Sequence, residues 1–262
     1  MTQLPLSGAG DEQVGDRVLK LTVAYDGTEF RGFAAQADQR TVELVLRDVL
    51  ERVIRVEPLV LTCAGRTDAG VHAWGQVVSV PVGDHDVDVD KVPFAITRQL
   101  GPEVVVRDAA MVDAPFDARR DAKWRTYRYT IVNRPEPDPF LARTAWWVPE
   151  PLDLSLLRLG ADPFLGLHDF ATFCKKRSQT ATTMRRVLDS TWNDLGDGVL
   201  RFDITATAFC QQMVRSIVGT LVDVGAGRIR PGEILGILRA RDRNAAGRVG
   251  APQGLCLWEV GY

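Results

Sequence analysis

The stretch Cys63–Val80, CAGRTDAGVHAWGQVVSV, sets Gly65, Arg66, Asp68 and Gly70 close together and then runs into the valine-rich GQVVSVPV (75–82). The second part reads as a buried strand, the first as the tight turn that feeds it. Two readings of that turn compete. The charges of Arg66 and Asp68 can simply solvate a corner. Alternatively the glycines build a rigid loop around a catalytic carboxylate. An arginine beside such a carboxylate favours its ionised form, ready as nucleophile or base. Gly65 and Gly70 would let a large ligand approach the backbone closely. An R-x-D turn by itself does not decide between them.

Outward from this stretch, strand and helix signals alternate, and they do so twice. VLKLTVAYDG (18–27) places Leu19, Leu21 and Val23 on one face and closes at the turn pair Asp26-Gly27. TVELVLRDVLERVIRV (41–56) carries a helical apolar stripe, with Thr41 as N-cap and Glu43 in the first turn. A helix over 89–100 and a strand over 103–112 complete this half. The second half opens with the strand WRTYRYTIV (124–132). A helix over 153–160 and strands over 183–192 and 199–208 follow. QQMVRSIVGTLVDVGAG (211–227) predicts an amphipathic helix with Met213, Val214, Ile217, Val218 and Leu221 inward. A short helix after Pro231 and the strand LCLWEVGY close the chain.

Two blocks of mixed strands and helices without a linker predict an α+β protein of two similar halves, with a substrate cleft between them. Residues 1–16 read as a disordered leader. Residues 17–115 form the N-terminal half with the aspartate loop, and 116–262 the C-terminal half with the tyrosine strand and the arginine helix. The seam falls at about 113–122.

The 262 residues are 45% hydrophobic, enough for a full core, and contain no apolar run of the ~18 residues that span a bilayer. Cys63, Cys174, Cys210 and Cys256 form no C-x-x-C pair, which suits reduced thiols of a cytoplasmic protein and offers no metal site. The net charge of -2 argues against a nucleic-acid partner, but its distribution does not. Acids gather in the leader and in DHDVDVD. Cations gather in ARRDAKWRTYRY (118–129), CKKRSQ (174–179) and TTMRRV (182–187), the first interleaved with aromatics. Such patches suit phosphate contact and base stacking. Each could equally be a solvated face.

The combination of strings settles more than any one of them. CAGRTDAGVH, YDGTEFRGF, FDARRDAKWRTYRY, FCQQMVRSIVGTLVDVGAG and the closing GLCL, in this order, resemble the bacterial tRNA pseudouridine synthase A family over roughly residues 18–262. The resemblance implies the pseudouridine synthase fold, two ferredoxin-like halves joined through a mixed central sheet. It implies Asp68 as the catalytic aspartate and Arg66 as the arginine that helps displace the target base. Tyr127 would stack on the uracil, Arg215 would pair with the aspartate, and Leu255 would wall the pocket. The implied substrate is tRNA, at uridines 38, 39 and 40 of the anticodon stem-loop, with a homodimer holding it and no cofactor. Arg119, Arg120, Lys123, Lys175, Lys176 and Arg177 are the candidate tRNA contacts.

Four places depart from the family's usual pattern: Phe33-Ala34-Ala35-Gln36, Glu43, Gln211-Gln212 and Asp117. They leave the aspartate, the tyrosine and both arginines in place and bear on RNA contact and loop packing. A non-catalytic RNA binder would keep the basic clusters without needing Asp68 beside arginine. A nucleoside hydrolase would use a similar carboxylate, usually with a metal or a second acid.

Overall fold

A computed structural model describes residues 17–175 and 182–262. The expected leader 1–16 and the candidates Lys176 and Arg177 lie outside the described residues.

In the N-terminal half, β1 (Arg17–Tyr25) leads to α1 (Val42–Ile54), then β2 (Thr62–Cys63), β3 (His72–Gly83), α2 (Val92–Leu100) and β4 (Val104–Asp113). Leu19, Leu21 and Val23 are fully buried, as their period-two spacing requires. Thr41 caps α1, its side chain accepting from the Leu44 amide at 3.4 Å, and Val42, Leu46, Val49 and Leu50 face inward.

The second half contains β5 (Trp124–Val132), β6 (Trp146–Trp147), α3 (Leu154–Ala161), β7 (Gly166–Asp169), β8 (Met184–Asp194) and β9 (Val199–Ala206). It ends with α4 (Met213–Gly225), α5 (Ile234–Ala240) and β10 (Leu255–Gly261). Asp153 caps α3 by accepting from the amides of Ser155 and Leu156. The two-residue strands β2 and β6 and the four-residue β7 carry too little periodicity to be read from sequence.

One sheet runs β4-β1-β3-β10-β5-β9-β8-β7, with β2 on β3 and β6 on β5. Within it the same arrangement occurs twice. The path β1-α1-β2-β3-α2-β4 has spatial order β4-β1-β3-β2. Setting β6, β7 and α5 aside, β5-α3-β8-β9-α4-β10 has order β10-β5-β9-β8. Both are the ferredoxin-like βαββαβ pattern.

The join is made by β3, which at 12 residues is long enough to serve two partners along one edge. Its far end takes β2, at Ser79 and Val78, while its start pairs in parallel with β10, Cys256 to His72 and Leu257 to Ala73. The C-terminal strand thus docks beside the strand that leaves the GRTDAG loop.

Helix α4 differs from its expected amphipathic form. Beyond the predicted stripe, Ser216, Gly219, Thr220, Val222 and Val224 are also buried. Two neighbours cover the helix: the 248–250 segment passes over Gly219 so closely that a Cβ there would collide with the Arg248 carbonyl, and α3 packs on the other side, Gly160 against Val224.

Candidate active site

The GRTDAG loop is held from several directions. The Gln76 side chain, fully buried on β3, accepts from the Gly65 amide at 3.3 Å and donates to the Gly65 carbonyl at 2.6 Å. The buried hydroxyls of Tyr25 and Thr67 lie 2.7 Å apart. Phe33 N–H donates to the Thr67 carbonyl at 3.1 Å, made possible by Gly32, whose φ is +96 and whose Cβ would sit 2.8 Å from that oxygen. Burial drives the Tyr25 phenol pKa well above its ordinary value, so it stays protonated as a hydrogen-bonding post.

Arg125 is the strongest tie. It is 7% exposed and has no carboxylate partner among the described residues. Its five N–H groups go to four carbonyls: Ala64 at 3.2 and 2.9 Å, Arg119 at 2.7 Å, Ala122 at 3.1 Å and Thr207 at 2.9 Å. One guanidinium therefore joins the root of the GRTDAG loop, the 119–122 link and the chain leading into α4. Burial lowers its pKa from the usual arginine value. Sequence reasoning passed over Arg125 and Gln76. The signal for Arg125 was its place two residues before Tyr127 on one strand, so that both side chains leave on the same face.

Asp68 sits on this loop, half-buried. Its Oδ2 lies 3.8 Å from Arg215 Nη1, and its Oδ1 accepts from Gln211 Nε2 at 3.4 Å. Arg66, although two residues from Asp68, makes no ion pair with it among the described residues. Arg66 is exposed, and between the two Thr67 turns into the core against Tyr25. The arginine at ion-pair distance is Arg215 on α4, the residue the resemblance implied. Its firmer contact is with the Gly250 carbonyl, 2.8 Å from Nε. Burial lowers its pKa, and the Asp68 charge opposes that shift.

Gln211 brings a correction. It was placed among departures that bear on RNA contact and loop packing, yet it touches the aspartate. Its Oε1 is buried without a hydrogen-bond partner among the described residues. Two other departures prove to be partners, because the Ala35 amide donates to Glu43 Oε2 at 2.9 Å.

A cleft of about 1700 Å³ gathers most of the sequence candidates. Asp68, Arg66, Tyr127, Arg215 and Leu255 line it, as do Arg119, Arg120 and Lys175. Lys123 is exposed and lies outside the lining. Arg185, from the TTMRRV cluster, and Arg31, Arg241 and Arg243, missed from sequence, join the wall, so that among the described residues ten lysines and arginines face two acids, Asp68 and Asp242. The Tyr127 ring meets Phe209 edge-on at 5.0 Å, and Leu255 opens β10 beside it. Burial raises the Tyr127 hydroxyl pKa well above its ordinary value. A flat ring, an apolar wall, a carboxylate with long contacts and a cationic rim suit an extruded base on a polyanion.

Comparison with known proteins agrees. Residues 21–119 and 161–262 match the family model described as tRNA pseudouridine synthase. The tRNA pseudouridine synthase A of Leifsonia xyli subsp. xyli is 41% identical over 262 aligned residues, covering 93% of this chain and 91% of that protein. That of Geotalea daltonii is 39% identical, covering 94% and 100%, and that of Bacillus subtilis 36%, covering 93% and 98%. With both halves matched and nearly the full length shared, the chain belongs to the tRNA pseudouridine synthase family.

Proposed function

We propose that this chain isomerises uridine to pseudouridine in tRNA, at uridines 38, 39 and 40 of the anticodon stem-loop, with Asp68 as the catalytic carboxylate and no cofactor. The observation that carries this reading is the setting of Asp68. It stands among ten cations, with Tyr127 and Leu255 beside it.

The target nucleotide must leave the stack before its sugar and C5 edge can be reached. Arg66, exposed at the rim, is placed to take the space it vacates. Breaking the bond from N1 to the ribose builds positive character on the sugar, which an adjacent carboxylate stabilises. Contacts of 3.4 and 3.8 Å are long for hydrogen bonds, so Asp68 keeps lone pairs available to the substrate. The same carboxylate serves whether it attacks C1′ or removes the C2′ proton. The freed uracil turns on the Tyr127 ring against Leu255 and rejoins through C5. With its proton held by burial, Tyr127 acts as platform rather than as base.

Acting in the cytoplasm, a homodimer would lay one tRNA across two basic clefts. A second copy has a surface to use: edge strand β7 and its neighbour β8 expose Leu167, Met184 and Leu188. No helix among the described residues is long and apolar enough to cross a membrane. Incubation with tRNA carrying tritium at uridine C5 tests the reading. Tritium release without free uracil supports isomerisation. Free uracil would mean hydrolysis, and neither product would mean a non-catalytic RNA binder.

A further inference from the structure

Two cysteines in the cleft wall take no part in this chemistry. Cys174 and Cys210 are distant in sequence, and their spacing gave no sign that they meet. Cys174 follows the turn Ala171–Phe173 and is a member of the buried core. Cys210 is partly exposed, packs on the same core and ends the approach to α4, its carbonyl accepting from the Met213 amide at 3.1 Å. The residues that follow them are joined directly, because Lys175 N–H donates to the Gln211 carbonyl at 3.0 Å. Both cysteines line the cleft, and all four cysteines of the chain are free.

We propose that Cys174 and Cys210 are a redox modification site, closing to a reversible disulfide when the protein meets a hydroperoxide. The Lys175–Gln211 bond brings the two backbones together one residue beyond the cysteines, and the two thiols lie within hydrogen-bond reach of each other. A disulfide needs a Cα separation of about 4.4–6.8 Å. The electrostatics divide the two roles. A thiol–thiol contact is the leading influence on both groups: it raises the pKa of Cys174 and lowers that of Cys210. The Arg185 guanidinium favours thiolate at both, while burial and the Asp169 carboxylate oppose it. Cys210, the more exposed and more acidic thiol, is the attacking group, and buried Cys174 resolves.

The step balances with a hydroperoxide as oxidant. Cys210 thiolate attacks the terminal oxygen, the O–O bond breaks, and sulfenic acid forms as hydroxide or alkoxide leaves. The Cys174 sulfur then attacks the Cys210 sulfur. Its proton leaves with the sulfenic hydroxyl as water, and the S–S bond forms. Each sulfur loses one electron, and the peroxide gains two. The consequence for turnover rests on the proposed function. Cys210 lies between Phe209, which supports the Tyr127 ring, and Gln211, which touches Asp68. Drawing the sulfurs to about 2.05 Å would pull both neighbours from their places.

The full-length protein is exposed to hydrogen peroxide under native conditions, free thiols are alkylated, and the protein is digested without reduction. The expected product is one peptide pair linked through Cys174 and Cys210, two hydrogens lighter than its reduced parts. Tritium release from labelled tRNA should fall severalfold and return with dithiothreitol. Cys174→Ser and Cys210→Ser should each give no linked pair, and each should lose the dithiothreitol-reversible fall in its own activity. Over-oxidised Cys210 with no linked pair would overturn the proposal, and a linked pair with unchanged turnover would overturn its regulatory part. The peptide map decides the disulfide even if the reduced protein releases no tritium, which would count against the functional reading alone.

Discussion

Asp68 was legible because a rare string surrounds it, and Arg215 through the family resemblance, but the Gln211 contact was not. Arg215 and Gln211 approach it from 147 and 143 residues away, and no local pattern encodes such a contact. Arg66, the neighbour in sequence, stays exposed, because Thr67 between them turns into the core against Tyr25. Tyr127 offers a test at this scale. Its burial raises the hydroxyl pKa and fits a platform, so Tyr127→Phe should keep most tRNA affinity and a measurable part of kcat. Tyr127→Ala, which removes the ring, should be at least about tenfold worse in single-turnover rate, a difference of roughly 1.4 kcal/mol in barrier. Equal inactivation by both would assign the hydroxyl a proton-transfer role.

At the scale of elements, long segments were read almost to their ends. α1 keeps its Thr41 cap, and β5 spans Trp124–Val132 as its aromatic and β-branched content predicts. What periodicity could not supply was the packing that buries α4 on most sides, because that depends on where the 248–250 segment and α3 lie. Nor could it supply the clamp at Arg125, whose four acceptors come from three separate segments. Arg125→Met strips the donors from four carbonyls around the loop. A buried carbonyl left unpaired costs about 1–3 kcal/mol, and the bonds to Ala64 are fully buried while the other three are part-buried. Urea unfolding should therefore show a loss of at least about 2 kcal/mol, with reduced turnover in the folded fraction. Arg125→Lys, keeping three donors, should recover part of both. Wild-type stability and turnover in Arg125→Met would remove the clamp from the account.

For the whole molecule, the two-half α+β architecture could be read because the alternation of strands and helices repeats. The docking of β10 between β3 and β5 could not, since parallel pairing of the C-terminus with β3 is a long-range choice. Net charge misleads at this scale too: the chain totals -2, yet its cleft is lined by ten cations and two acids. Affinity for tRNA should therefore fall steeply with added salt. Replacing exposed Arg119, Arg120 and Lys175 with alanine should flatten the salt slope by about one unit per lost phosphate contact while leaving saturated turnover nearly intact. An unchanged slope would place the tRNA track elsewhere. The most direct measurement is single-turnover tritium release by Asp68→Asn, alongside its tRNA affinity. The amide keeps the shape of the side chain but can neither attack C1′ nor take a proton. The account predicts no release above background, with affinity within a few-fold of wild type. Release at a substantial fraction of the wild-type rate, in protein free of wild-type enzyme, would contradict it.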